Sequence, residues 1–313
     1  MRRSFKAGIK KLLGIAPSVA ATVPEIPVFA IAMYTGPSPT ELRPRAADGG
    51  PVFARENLGS VRGDFVADPF LIRTNEEWFM FYEVHNQETS QGEIGLATSP
   101  DGGRWEDRGI VLSEPFHLSY PYVFEWTGGH YMVPECFETG SVRLYRADAF
   151  PGRWVLEKVL LEGRGYVDPS IFHFEDNWWL FVGHGRPDFR ADTLRLFTAD
   201  SPLGPWAEHP MSPVVADDNR TARPAGRVVV AGGRPVRFAQ DCSEVYGGAV
   251  RAFEITTLTA DTYEERPVRR GPMLGASGQG WNAAGMHHVD AQQLDDGEWI
   301  ALVDGWAWGA PLR

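Results

Sequence analysis

Apolar and polar residues alternate in short runs along most of this chain, and turn signals separate the runs at about ten-residue intervals, the pattern of β-strands half buried in sheets. One run shows the local logic. In "VDPSIFHFEDNWWLFVG", residues 167–183, Ile171, Phe172 and Phe174 lead into a polar turn, and Trp178 to Val182 form a returning strand. Proline has no backbone donor, so Pro169 belongs at a strand's first residue, an edge or a bulge, and it pushes the residue before it toward extended geometry. Asp168 is therefore expected at the very start of the strand.

The same order of parts recurs. "ADPFLIRTNEEWFMFYE" carries Asp68 and Pro69, "SYPYVFEWTGGHYMVPE" puts Tyr120 in the aspartate's place, and "ARPAGRVVVAGGRPVRFAQD" puts Arg223 there. A fifth copy around His287 and His288 lacks the proline. From Asp68 through Tyr120, Asp168 and Arg223 to His288 the steps are 52, 48, 55 and 65 residues. After each hairpin comes a third strand, such as "GEIGLATSP" or "TLRLFTADSP", and then a segment holding Trp or Tyr, as in "GGRWEDRGIVL". Four strands repeating near fifty residues are the signature of a propeller blade. The expected fold is all-β: a five-bladed β-propeller of four-stranded antiparallel blades over residues 23–313. Its last blade is completed by N-terminal sequence near "PVFAIAMY" (27–34), which closes the ring and removes exposed sheet edges. Trp105, Trp154, Trp178, Trp179 and Trp206 recur at blade-specific places and read as core wedges.

The 313 residues are 43% hydrophobic with no long linker, enough for one domain with a large core. A net charge of −11 speaks against a nucleic-acid surface. Cys136 and Cys242 have neither zinc-like spacing nor the density of a disulfide framework. Residues 1–22 differ in kind: Phe5, Ile9, Leu12 and Leu13 recur at helical spacing beside Arg2, Arg3, Lys6, Lys10 and Lys11. That pattern suits peripheral contact of residues 2–13 with an anionic membrane, and it favours a cytoplasmic or membrane-peripheral location over secretion.

In a propeller, equivalent strand starts from different blades converge on the axis. The first ring is then Asp68, Tyr120, Asp168, Arg223 and one of His287 and His288, since neighbours on a strand point opposite ways. Strand ends give a second ring: Glu83, Glu135, His184 beside Gly183, Gln240 with Asp241, and Asp304. Paired carboxylates among such groups suit acid/base work on a glycosidic bond. Asp68, Glu135 and Asp168 are the catalytic candidates, and Glu83, Tyr120, Arg223, Gln240, Asp241 and His288 the substrate-binding ones. Glu135 lies among Pro134, Cys136 and Phe137, which raise its pKa, whereas Asp68 at an open mouth stays ionised. Aspartates at strand ends also cap backbone donors without doing chemistry. No cofactor is implied, although a cation such as calcium held at the axis by one histidine and water fits the composition.

Five blades with Asp-Pro starts and a channel Glu resemble the propellers of glycoside hydrolase families 43, 32, 62 and 68. The ordered run "SYPYVFEWTGGHYMVPE", "VRLYRADAFPGRW", "VDPSIF", "WWLF", "SPLGPWAEHP", "ARPAG" and "AQDCSEVYGGAV", within about residues 60 to 306, is similar to the N-terminal propeller domain of glucosamine inositolphosphorylceramide transferases and its bacterial stand-alone relatives. In the hydrolases an inner-strand aspartate of the first blade is base or nucleophile, a second aspartate orients or tunes, and a glutamate on a neighbouring blade is the acid. By motif context the resemblance implies these roles for Asp68, Asp168 and Glu135, the latter in a "PEC" setting like the Glu-Cys pair of family 32. The hydrolases show the second Asp and the Glu in the reverse blade order. A glycosidase-like enzyme, a non-catalytic glycan-binding or accessory domain, and a protein-interaction propeller are the three readings. The third is weakened by the missing kelch and Trp-Asp signatures.

Overall fold

The computed structural model describes residues 25–46, 49–74, 77–163, 165–185 and 191–310; the basic segment 1–22 lies outside them. Five antiparallel sheets follow one another around an axis. The first blade comprises Gly63–Thr74, Glu77–Asn86, Gln91–Ser99 and Glu106–Leu112, and the second Ser119–Trp126, Gly129–Glu135, Ser141–Ala149 and Arg153–Glu162. Tyr166–Phe174, Asn177–Gly185, Ala191–Ala199 and Ala207–Glu208 form the third, and Val229–Ala231, Arg234–Asp241, Ala249–Leu258 and Tyr263–Pro267 the fourth. The fifth joins both ends of the fold. Ile26–Gly36 pairs antiparallel with Trp299–Gly309 over its whole length, from Ile26 opposite Gly309 to Gly36 opposite Trp299, while Gly285–Gln293 lines the axis. The expected closure by the N-terminal strand is therefore present. Among the described residues no helix is long and apolar enough to cross a membrane.

Burial follows the wedge reading for Trp154, Trp178 and Trp179, which are buried between blades; Trp105 and Trp206 are half-buried against the same core. Cys136 and Cys242 are both free thiols.

The strand starts depart from expectation. Asp68, Tyr120 and Asp168 do not open their strands; each sits inside one, at an irregularity of the ladder, with φ of 51°, 48° and 48°. Each precedes a proline, which ordinarily enforces extended backbone, so three side chains are held in a left-handed conformation costing on the order of 1–3 kcal/mol apiece. Contacts from the adjoining blade hold them there. Asp304 Oδ2 of the fifth blade accepts the Asp68 N–H at 2.9 Å, and Glu135 Oε2 of the second blade accepts the Asp168 N–H at 3.0 Å. The Tyr120 N–H reaches Asp68 Oδ2 at 3.3 Å. The bulge turns each strand so that its amide serves the next blade instead of its own ladder.

Deeper along the axis, side chains fill the interior. The Tyr120 hydroxyl lies 2.8 Å from Ser170 Oγ, donates to the Gly226 carbonyl at 2.9 Å and accepts the Gly226 N–H at 2.7 Å. Arg227 pairs with Asp290 at 2.6 Å and donates to the carbonyls of Val123 and Leu71, stitching four blades together.

Candidate active site

The carboxylates converge as the pseudo-symmetry requires. Asp68 and Glu83 come from the first blade, Glu135 from the second, Asp168 from the third and Asp304 from the fifth; Arg223 and Gln240 arrive from the fourth. They form two linked networks. In one, Arg223 Nε lies 2.5 Å from Asp168 Oδ2, Arg223 Nη2 lies 3.7 Å from Glu135 Oε2, and Gln240 Nε2 donates to Asp168 Oδ2 at 3.0 Å. In the other, His287 Nδ1 meets Asp304 Oδ1 at 2.6 Å, and its Nε2 lies 3.8 Å from Asp68 Oδ1. Side-chain exposure layers the cluster. Asp68, Glu83, Glu135 and Arg223 keep 8–9% of their surface open, whereas Asp168, His287 and Asp304 keep 0–4%.

Burial sets the protonation pattern. It pushes Asp68 up to about 7 despite the opposing field of His287, so this group is not the freely ionised carboxylate an open mouth would give. The proton arrangement around it agrees. His288 Nε2 faces the Pro69 carbonyl at 3.0 Å and carries the ring proton, which leaves the Nδ1 lone pair 3.6 Å from Asp68 Oδ1, a contact that suits a protonated Asp68. Glu83 is raised well above the usual range by burial and by the carboxylates of Asp68 and Glu135. Its neighbour His117, 3.4 Å away, accepts the Gly92 N–H at Nδ1 and is pushed down to about 3 by burial, so the pair is a contact between neutral groups and not an ion pair. Glu135 is also raised strongly, by burial and then by Asp168, as its apolar neighbours led one to expect. Asp304 goes the other way: burial raises it, but the charge and hydrogen bond of His287 outweigh that and leave it lowered.

Several candidates have other employment. Tyr120 and His288 have no exposed surface, and both serve as axial packing, with the His288 ring against Phe70 and Tyr120. Asp241 points away from the cluster: Ser243 Oγ donates to its Oδ1 at 2.6 Å, and its Oδ2 lies 2.7 Å from Arg251 Nη2. The strand that turns Gln240 inward must turn its neighbour outward. Arg223 and Gln240 are in the cluster: Arg223 directs Nε and Nη2 at Asp168, and Gln240 Nε2 donates to Asp168 Oδ2 and to the Pro224 carbonyl. His117, His287 and Tyr246 join the site. The donor atoms of Asp68, His287 and Asp304 lie within 4.8 Å of one another, close enough to hold a cation in place of the proton now shared by His287 and Asp304.

A five-bladed β-propeller of antiparallel four-stranded blades is a fold shared with solved glycoside hydrolases. The catalytic domain of the Coprinopsis cinerea GH62 alpha-L-arabinofuranosidase superposes with a TM-score of 0.59 over 88% of this chain and 97% of that one, at 11% identity. A family 117 glycoside hydrolase from the marine bacterium Zobellia galactanivorans gives 0.55 over 82% and 88%, at 15% identity. These likenesses establish the fold alone. Sequence places the chain more narrowly: residues 27–306 match the model of the family described as glucosamine inositolphosphorylceramide transferase 1, N-terminal, and the chain belongs to that family. It is 40% identical, over an alignment of 298 residues covering 88% of this chain, to glucosamine inositolphosphorylceramide transferase 1 of Oryza sativa subsp. japonica. It is 40% identical, over an alignment of 248 residues covering 77% of this chain, to the Arabidopsis thaliana protein of that name. Both are plant proteins. The chain spans 40% and 32% of their respective lengths.

Proposed function

We propose that this chain is a carbohydrate-active protein that engages a glycan at the mouth of its propeller and acts on a glycosidic bond there. The observation carrying this reading is the meeting of Asp68, Glu135 and Asp168, from three blades, in one buried cluster whose outermost carboxyls still touch solvent. Glu135, protonated by burial, is the proton donor to the leaving oxygen. Asp68 in its ionised form is the base or nucleophile, and Asp168, clamped by Arg223 and Gln240, tunes Glu135 through their direct contact.

The second reading is a glycan-binding domain that assists transfer chemistry located elsewhere. It is favoured by the modest share of the plant relatives that this chain spans, and by the use of Glu135 and Asp304 as acceptors for backbone amides. Peripheral membrane contact through residues 2–13 is compatible with either.

The test is release of 4-nitrophenol from a panel that includes the alpha-L-arabinofuranoside and the glucosaminide. On the first reading the wild type turns over at least one substrate, and Asp68→Asn and Glu135→Gln each lower the rate by roughly 10²–10⁴-fold while both variants keep a cooperative thermal transition. Turnover that survives both substitutions removes these residues from the chemistry. Binding of glucosamine without turnover of any glycoside selects the second reading.

A further inference from the structure

The connection between Arg234–Asp241 and Ala249–Leu258 reads "CSEVYGG", and it is fastened at both ends. At its start Asp241 Oδ1 accepts from the Ser243 N–H at 3.1 Å and from its hydroxyl at 2.6 Å, while Oδ2 holds Arg251. At its end the Gly247 carbonyl accepts from Trp306 Nε1 at 3.1 Å on the fifth blade. Gly247 has φ of 60°, and a Cβ there would lie 2.8 Å from the His287 Cβ, so only glycine lets the connection descend this far. The loop thereby crosses from the fourth blade to the fifth and sets Tyr246 over the acid cluster. One face of its ring lies 5.0 Å from the Arg223 guanidinium carbon, and its edge meets the His287 ring at 5.6 Å.

The hydroxyl of Tyr246, like those of Tyr34 and Tyr131, has no hydrogen-bond partner among the described residues, but Tyr246 stands beside Arg223 and His287 of the acid cluster. The hydroxyls of Tyr82, Tyr120, Tyr145 and Tyr263 each have a side-chain partner, Asp107, Ser170, Glu114 and Glu265 respectively. Tyr246 makes no hydrogen bond among the described residues, although its hydroxyl feels the charges of Asp168, Asp68 and Arg223. Unlike the carboxylates beneath it, the residue is half-buried. The fold supplies this hydroxyl no partner and does not enclose it, so it is open to water or to a ligand oxygen.

We propose that Tyr246 is a ligand-contacting residue of this site, its ring held by Arg223 and its hydroxyl donating to an oxygen of the bound sugar. This inference rests on the carbohydrate reading above and adds to it the side chain that meets the ligand from the fourth blade. Loss of one neutral hydrogen bond weakens binding by about three- to tenfold.

The experiment is titration calorimetry of the full chain with D-glucosamine and with methyl alpha-L-arabinofuranoside, wild type against Tyr246→Phe, alongside thermal unfolding. The expected result is binding of at least one probe by the wild type, weakened by that factor in the phenylalanine variant, with a melting temperature that moves by less than about 2 °C. Equal affinity in the two proteins overturns the inference and leaves the carbohydrate reading standing. A larger fall in melting temperature also overturns it, because the hydroxyl would then have an internal partner. Failure of the wild type to bind either probe defeats the carbohydrate reading for these sugars, and the inference with it.

Discussion

Arg223 of the fourth blade and Asp168 of the third are joined by a nearly dry ion pair, 2.5 Å from Nε to Oδ2, with side chains 9% and 3% exposed. Removing the cation strands the Asp168 carboxyl and also takes the positive charge away from Glu135 at 3.7 Å. Breaking a buried pair on one side costs about 3–5 kcal/mol, far more than the pair itself contributes. Arg223→Leu should therefore lower the free energy of chemical unfolding by that order, and Arg223→Lys by less. A leucine variant as stable as wild type would show that Asp168 is neutralised by another group.

Stability should fall as pH rises across the range in which the site ionises. Asp68 has a folded value near 7 against an unfolded value of 3.8, so between those limits the folded state holds a proton that the unfolded state has lost. Glu83 and Glu135 are raised likewise, by burial first. His287 is also raised: burial alone would lower it, but the charge and hydrogen bond of Asp304 together with the charge of Asp68 outweigh that, and its contribution is lost as pH climbs through its folded value. His288 and His117, held down at about 4 and about 3 by burial, act oppositely and weaken the fold on the acid side of 6.5. Asp68→Asn removes one contributor and keeps an oxygen acceptor. It should gain stability relative to wild type at pH 8 and not at pH 4; a difference that does not vary with pH would contradict the assignment.

Tyr120→Phe tests a residue whose axial place suggested substrate binding. Its hydroxyl bonds with Ser170 and with both the carbonyl and the amide of Gly226, all buried. Deleting it strands the Gly226 N–H, at about 1–3 kcal/mol, while Ser170 Oγ still donates to the Gly226 carbonyl at 3.3 Å. The phenylalanine variant should melt several degrees lower and bind ligand with wild-type affinity at a temperature where both proteins are folded. Weaker binding with an unchanged melting temperature would return Tyr120 to the binding surface.

Deleting residues 26–36 removes the strand that pairs with Trp299–Gly309 along its whole length. An exposed edge of that length invites intermolecular pairing. The truncated chain should lose its cooperative thermal transition and elute as aggregates in size-exclusion chromatography, whereas a monodisperse, cooperatively folding product would show that the closing strand is dispensable.

Blade number, closure and the meeting of Asp68, Glu135 and Asp168 were legible in the sequence because they depend on repetition, which survives in spacing even where residues change. Geometry specific to one blade was not. Pro69 and Pro169 announced a special backbone, but the rule for residues before proline pointed to extended strand, and the left-handed bulges arise from Asp304 and Glu135 on neighbouring blades. The irregularity between Gly285 and His288 made the choice between the two histidines unreadable from alternation; His287 joins Asp304, and His288 packs. Tyr246 and His117 stand on connections outside the repeat, where no periodicity marks them.

Because the fifth blade combines Ile26–Gly36 with Trp299–Gly309, the wheel cannot shut until Trp299–Gly309 has been synthesised. Asp304, the partner of Asp68, is carried on that final strand, 236 residues later in synthesis. A ribosome-bound chain with four blades already formed would still lack both the seal and the His287–Asp304 pair. Biosynthesis thus completes the cluster only with the strand that closes the propeller, and a product terminated before it carries Asp68 and Asp168 without the surroundings that set their protonation.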